Sequence, residues 1–223
     1  MRSLRAVHAR PRRALSVALA VVLLATLIPF QAVTALGVTG GTTWYVDGAV
    51  GSDGNPGTSA EPFETVYAGV DAASDGDTVL VSPGTYWCEP LVIDGFSGLT
   101  VKSTGGAAVT DLVADGATPV AVIVDSENVT LDGFTVSGGK SEVGGGILAS
   151  AATAKVTNCV VSGNDAFYGA GLVSFESTIT IEGTEFSENF AYFAGAGSGA
   201  IASKLAVKDS EFIDNGREML EAG

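Results

Sequence analysis

The sequence predicts an all-β protein wound as a right-handed parallel β-helix of about six coils, with a short helix closing its N-terminal end. Three observations carry this. Four segments recur at offsets of 25, 25 and 26 residues: "VTLDGFTVSGG" from Val129, "AKVTNCVVSGN" from Ala154, "ITIEGTEFSEN" from Ile179 and "LAVKDSEFIDN" from Leu205. Within each, apolar and polar residues alternate with period two, the mark of a strand with one buried face. Ahead of them, "FETVYAGVDAA" places Phe63, Val66, Val70 and Ala73 on one side of a helix.

Residues 1–35 read as a signal peptide. Arg2, Arg5, Arg10, Arg12 and Arg13 form a basic start, Ala14 to Ile28 is almost wholly apolar, and Val33-Thr34-Ala35 offers small residues for cleavage near Ala35. No second apolar segment of that length follows, so no transmembrane span is expected in the mature chain. Export would remove five of the 11 basic residues and none of the 25 acidic ones, leaving 6 against 25, a formal charge of −19. Such a surface repels nucleic acid and anionic polymers unless cations intervene. The roughly 188 residues beyond the leader suffice for one domain with its own core. The sole histidine, His8, lies in the leader, so no Cys/His metal site is possible. Cys88 and Cys159 allow one disulfide, but the repeat puts Cys159 at an inward position, where a free thiol serves as a small apolar filler.

Residues 36–77 are expected to hold a first strand around Trp44 to Val46, the turn-rich loop "GSDGNPGTSAEP" and the capping helix. That helix would cover the open end of the first coil, a surface of otherwise bare strand edges. The coils occupy residues 78–223, starting with "TVLVSPGTY". Residues 99–128 show two strands, "LTVKS" and "VAVIVDS", in irregular register.

The repeat columns are apolar throughout: Val129, Ala154, Ile179 and Leu205; Leu131, Val156, Ile181 and Val207; Val136, Val161, Phe186 and Phe212. Repeats of this length mean stacked units. The β-branched alternation excludes helical repeats, and two or three strands per unit are too few for propeller blades. Stacked coils remain. Asn164, Asn189 and Asn215 fall in one corner column, where Asn tolerates left-handed backbone and can hydrogen-bond from coil to coil. A second register aligns Gly146-Ile147-Leu148, Gly171-Leu172-Val173 and Gly199-Ala200-Ile201, with Ala200-Ile201 expected to start a strand. The matched coils end near Asn215. They are expected either to continue past Gly223 or to be closed by Met219 and Leu220.

Phe-x-x-Asn alternating with Gly-Gly-Ala-Ile, as in "FSEN", "FIDN" and "SGAI", resembles the repeat of the chlamydial polymorphic outer-membrane proteins over roughly residues 129–215. That resemblance implies a secreted or surface β-helix used in adhesion. The stretch from Thr43 to Tyr86 resembles the opening module of right-handed β-helices of the pectate-lyase-like superfamily, which includes both enzymes and non-enzymes.

Five sets of residues could carry chemistry. Glu185 with Glu211, and Glu188 with Asp214, stand one coil apart at outward positions. Stacked carboxylates repel, and Ca²⁺ would relieve them; the alternative is a solvated acidic face. Lys140 is the least unsuitable base for a calcium-assisted polysaccharide lyase, a reaction in which a base removes a proton beside a carboxylate. Phe167-Tyr168 and Tyr192-Phe193 recur 25 residues apart. Exposed, they would form a ladder for a sugar or a protein partner; buried, they would be a corner core. Asp47, Asp53 and Asn55 could bind calcium or simply form turns, and Asn128 in "NVT" fits a glycosylation acceptor. The expected role is a non-catalytic extracellular scaffold for adhesion or glycan contact. The alternative is the lyase.

Overall fold

The computed structural model describes residues 41–116 and 118–216. The expected leader and its cleavage site, Arg217, and the expected plug of Met219 and Leu220 lie outside the described residues. Over the described residues the architecture is a parallel β-helix with five complete coils and two strands of a sixth. Coil 1 comprises Thr78–Val81, Gly84–Cys88 and Leu91–Asp94; coil 2 comprises Thr100–Ser103, Thr110–Ala114 and Ala121–Val124. From coil 3 a fourth strand appears, giving Val129–Asp132, Thr135–Ser137, Lys140–Val143 and Ile147–Ser150. Coil 4 runs through Thr153–Thr157, Val160–Ser162, Asp165–Tyr168 and Leu172–Phe175. Coil 5 runs through Thr178–Glu182, Glu185–Ser187, Phe190–Ala194 and Ser198–Ile201. Lys204–Lys208 and Glu211–Ile213 belong to coil 6.

Equivalent strands of successive coils pair in parallel and build three long sheets and one short one. The short sheet holds Lys140–Val143, Asp165–Tyr168 and Phe190–Ala194. Parallel strands joined by crossovers of this kind wind right-handed. At the N-terminal end, strand β1 (Thr43–Val46) pairs with Thr78–Val81 as an extra rung. Helix α1 (Val66–Ala72) starts at Thr65, whose side chain accepts from the Ala68 amide, and buries Val66, Gly69 and Val70 over the first rungs. Phe63 lies just before it and Ala73 is its C-cap residue.

Pairing registers confirm the three apolar columns. Ala154 stands over Val129 and under Ile179, which stands under Leu205; Leu131, Val156, Ile181 and Val207 follow the same order. Val136, Val161, Phe186 and Phe212 form the third column, and the Phe186 and Phe212 rings stack with centroids 4.9 Å apart. All members of these columns are buried through coil 5. Stacking identical shapes lets every coil reuse one packing solution, so the core extends along the axis without changing cross-section.

The corners repeat a single device. A residue with left-handed backbone is followed by an inward residue, and non-glycine side chains occupy the left-handed site in many coils. Asn158 and Asp209, Ala151 and Glu176, and Glu188 and Asp214 all have positive φ. The Asn column is therefore not the left-handed one, contrary to the expectation from sequence; the residue before each Asn takes that conformation. Asn164 and Asn189 point inward, fully buried. Where the inward corner residue carries a hydroxyl, as at Ser126, Ser177 and Thr184, it donates to a carbonyl two residues back and accepts from the amide one coil earlier. Ser177 does so with Phe175 O and Ala152 N, Thr184 with Glu182 O and Cys159 N. In the Asn column, Asn164 Nδ2 donates to Asn189 Oδ1 at 3.0 Å and Asn189 Nδ2 to Asn215 Oδ1 at 2.8 Å.

The second register needs correction by two residues. Leu172 pairs with Ser198 and Phe175 with Ile201, so Ala200-Ile201 ends its strand, and Gly197 rather than Gly199 continues the glycine column. Close approach explains that column. A Cβ on Gly171 would fall 2.3 Å from Gly197 O and 2.9 Å from Phe186 Cδ1; one on Gly197 would fall 2.6 Å from Phe212 Cδ1. The stacked rings fill the volume beside the glycines, so Phe-x-x-Asn and the following glycine are parts of one packing unit.

Both cysteines are free and buried. Burial pushes each thiol up to about 11, so both remain protonated at neutral pH and act as apolar filler.

Candidate functional site

The short fourth sheet carries the largest cluster of exposed aromatic residues among the described residues. Its inward positions are small: Ala166 and Ala191 pack with Ala170 and, in part, Ala196. The following bend is tight as well, since a Cβ on Gly145 would meet Asp165 O at 2.7 Å. Bulky side chains on this sheet therefore face outward. Phe167 and Tyr168 are each 45% exposed, Phe190 45%, Tyr192 46% and Phe193 64%. The corner-core alternative for these residues is excluded by those exposures.

The geometry of the cluster comes from one extra residue. Asp165 pairs with Phe190 and Ala166 with Ala191, but Tyr168 pairs with Ala194, so the register slips by one between them. This is a β-bulge, and it accounts for the single 26-residue offset in an otherwise 25-residue repeat. The bulge turns two consecutive side chains, Tyr192 and Phe193, to the same face. Phe167 then stacks on both, at centroid distances of 5.1 and 5.8 Å, and Tyr168 stacks on Phe193 at 5.3 Å.

Beside this stack lie two depressions that share Asp165 and Phe190. A depression of about 220 Å³ is bounded by Asp165, Phe190, Ala191 and Tyr192. A shallower, open one is lined by Lys140, Gly163, Asn164, Asp165, Glu188, Phe190 and Asp214. Lys140 pairs with Asp165 across one coil step, with Nζ 3.9 Å from Asp165 Oδ2. The Lys140 side chain is mostly in solvent and that of Asp165 partly so, which makes the contact a weak surface pair.

The remaining candidates are placed as follows. Glu185 pairs directly with Glu211, while Glu188 and Asp214 occupy the left-handed corner. Among the described residues, no group of three or more His, Cys, Asp or Glu side chains converges to hold a metal. Asp53 accepts from the Glu64 and Thr65 amides and from the Thr65 hydroxyl, so it ties its loop to the start of α1. Asp47 caps the turn through Ala49 and Val50, and Asn55 donates to Pro62 O. Asn128 is exposed, with left-handed backbone. Lys102 pairs with Asp132, and Lys208 with Glu182, on the outer face of the first sheet.

Sequence reasoning missed Asp165 and Phe190. Each stands at the first position of a fourth-sheet strand, and the short strands Lys140–Val143, Asp165–Tyr168 and Phe190–Ala194 carry little alternation. The available signal was the 25-residue spacing of the aromatic pairs, which marks a strand in its own right.

The chain is thus a parallel β-helix with one aromatic outer face. Its backbone course is similar to that of several solved structures. A pectin methylesterase variant in complex with a hexasaccharide is 15% identical, over 83% of this chain and 68% of its own, with a TM-score of 0.43. Pectin methylesterase PemA from Erwinia chrysanthemi is 13% identical over 79% and 66%, at 0.43. Pectate lyase Pel9A is 14% identical over 78% and 64%, at 0.42. At these identities the likeness concerns the fold and assigns no residue of the site. No protein-family model and no curated sequence matches the chain.

Proposed function

We propose that this protein is an exported, non-catalytic β-helix whose fourth-sheet aromatic face contacts glycan, in the manner of a surface or adhesion scaffold. The observation that carries the proposal is the stack of half-exposed rings from Phe167, Tyr168, Tyr192 and Phe193. An apolar cluster held open on a rigid sheet is a contact surface rather than a packing remnant. The exposed outer parts of the stacked rings form an apolar strip along the coil axis, against which the C–H groups of a sugar can pack. The Phe-x-x-Asn repeat and the N-terminal basic and apolar segment support export to a surface. N-terminal sequencing of the exported protein is expected to place its start near residue 36.

The test is glycan binding by the full chain and by a variant carrying Phe167→Ala, Tyr192→Ala and Phe193→Ala. The triple variant is expected to lose at least tenfold in affinity, and, because its lost ring–ring pairs are worth about 1 kcal/mol each, to unfold at a lower midpoint while keeping a cooperative transition. Equal affinity in the variant would end the reading.

One observation favours the rival lyase: Lys140 shares its depression with Asp165, Glu188 and Asp214. Incubation with polyuronate and Ca²⁺ separates the two readings. Unsaturated products that disappear in Lys140→Met would establish the lyase in place of the scaffold.

A further inference from the structure

We propose that the depression between Phe190 and Tyr192 receives a protonated amine, so that the glycan taken by this face is an amino-sugar polymer rather than a neutral or uronate one. The inference rests on the glycan reading above and adds the chemical class of the ligand.

The walls and the charge decide the class. Phe190 and Tyr192 stand at positions i and i+2 of one strand, both exposed on either side of buried Ala191, and Asp165, paired with Phe190 on the adjacent strand, borders the same depression. Two aromatic walls and one carboxylate form a recurrent arrangement for an ammonium group. The ring faces attract the cation through their quadrupoles, and the carboxylate supplies a charge-assisted hydrogen bond. The adjoining depression adds Glu188 and Asp214 against the single cation Lys140. Three carboxylates against one ammonium leave this region negative, and the whole chain adds a formal charge of −14. A uronate placed here would set its carboxylate against Asp165, Glu188 and Asp214.

Lys140 does not close the site. Its ammonium reaches Asp165 only at 3.9 Å, and most of its side chain is in solvent. It marks where a cation rests and can yield Asp165 to a ligand amine held between the rings. The bulge extends the surface in the same direction: Tyr192 borders the depression on one side and stacks with Phe167 on the other. A sugar whose amine enters the depression would lay its ring toward the aromatic cluster.

The experiment titrates the full chain with three hexasaccharides: β-1,4-linked glucosamine, its fully N-acetylated counterpart and oligogalacturonate. A pH of about 5.5 keeps amines protonated and carboxylates ionised. The glucosamine oligomer is expected to bind at least tenfold tighter than the acetylated one, and the uronate weakest. Asp165→Asn is expected to lower affinity for the amine oligomer at least fivefold and leave the acetylated oligomer unchanged, with an unaltered unfolding midpoint. Added salt should narrow the gap between the two. Equal binding of the amine and acetyl forms, or tightest binding of the uronate, would overturn the amine assignment and leave glycan contact standing. Absence of binding to all three would overturn both. A lysine-rich peptide is the control: Asp165-dependent binding of that peptide without glucosamine binding would overturn the sugar and transfer the face to a protein partner.

Discussion

Asn164, Asn189 and Asn215 form a file of amides inside the coil stack, each turned so that its oxygen accepts from below and its nitrogen donates to the coil below, with Asn164 and Asn189 donating also to the amide above. Asn189 Nδ2 also donates to Val161 O at 2.8 Å, and its Oδ1 accepts from the Asn164 amide at 3.2 Å. A buried amide is tolerated only when its donors and acceptors are met. Replacing Asn189 by Ala would strand the Asn164 backbone amide and the Val161 carbonyl of coil 4 and take a partner from the side chains of Asn164 and Asn215. The expected cost is about 3 kcal/mol, read as a lower denaturant midpoint with an unchanged slope. Asn189→Asp should also destabilise, because its second oxygen would face carbonyls that now receive an N–H. At this scale the sequence displayed the column but not its direction. The period-three spacing of Phe186 and Asn189 locates a corner, yet which of two neighbours adopts the left-handed backbone depends on hydrogen bonds from the adjacent coil. Those made Glu188 the left-handed residue and drew Asn189 inward.

At the scale of elements, the strand, corner and glycine of each coil are fitted to one another. Gly171 lies against the carbonyl of Gly197 and the ring of Phe186, and neither can retreat without disturbing a stacked coil. Gly171→Ala is expected to destabilise by about 3 kcal/mol, at the upper end of overpacking costs, although its backbone angles suit any residue. Thermal unfolding of the single variant checks this. If the alanine were accommodated without loss, the packing account of the glycine column would fail. The long strands were legible because their alternation is strong, as in "ITIEG" and "KVTNC". The short fourth sheet was not, since Ala166 and Ala191 on its inner side give almost no contrast in hydropathy. The strand Thr110–Ala114 was missed for a related reason: the loops flanking it vary in length, and a fixed repeat cannot find it.

For the whole molecule, stability is expected to fall at low pH through two anchored carboxylates. Burial pushes Asp77 up, but hydrogen bonds from the Trp44 indole and the Ser74 and Thr42 amides outweigh it and leave the group below its ordinary value. Asp132 is lowered in the same way, burial being outweighed by Lys102, Asn158 and Thr157. A carboxylate held below its unfolded value contributes stability above the unfolded range, about 3.9, and loses it as the pH drops through the folded value. Unfolding midpoints should therefore be flat from neutral pH to about 5 and decline below 4. Asp77→Asn should flatten part of that decline. Asp77 joins β1 and the helix-bearing end to coil 1, so its protonation is expected to loosen the N-terminal cap before the central coils, visible as early amide exchange in residues 43–46.

The sequence by itself determined the coiled architecture, the inward columns and the helix over the first rung. Each follows from periodicity, and periodicity survives in a linear string because every coil solves the same burial problem. Only the tertiary structure decided the shape of the outer face. The step from 25 to 26 residues could have been absorbed at any bend; hydrogen bonding between Asp165–Tyr168 and Phe190–Ala194 confined it to one bulge. That placement turned Tyr192 and Phe193 to the same side, against Phe167 and Tyr168, an arrangement that depends on register between coils rather than on any local run of residues.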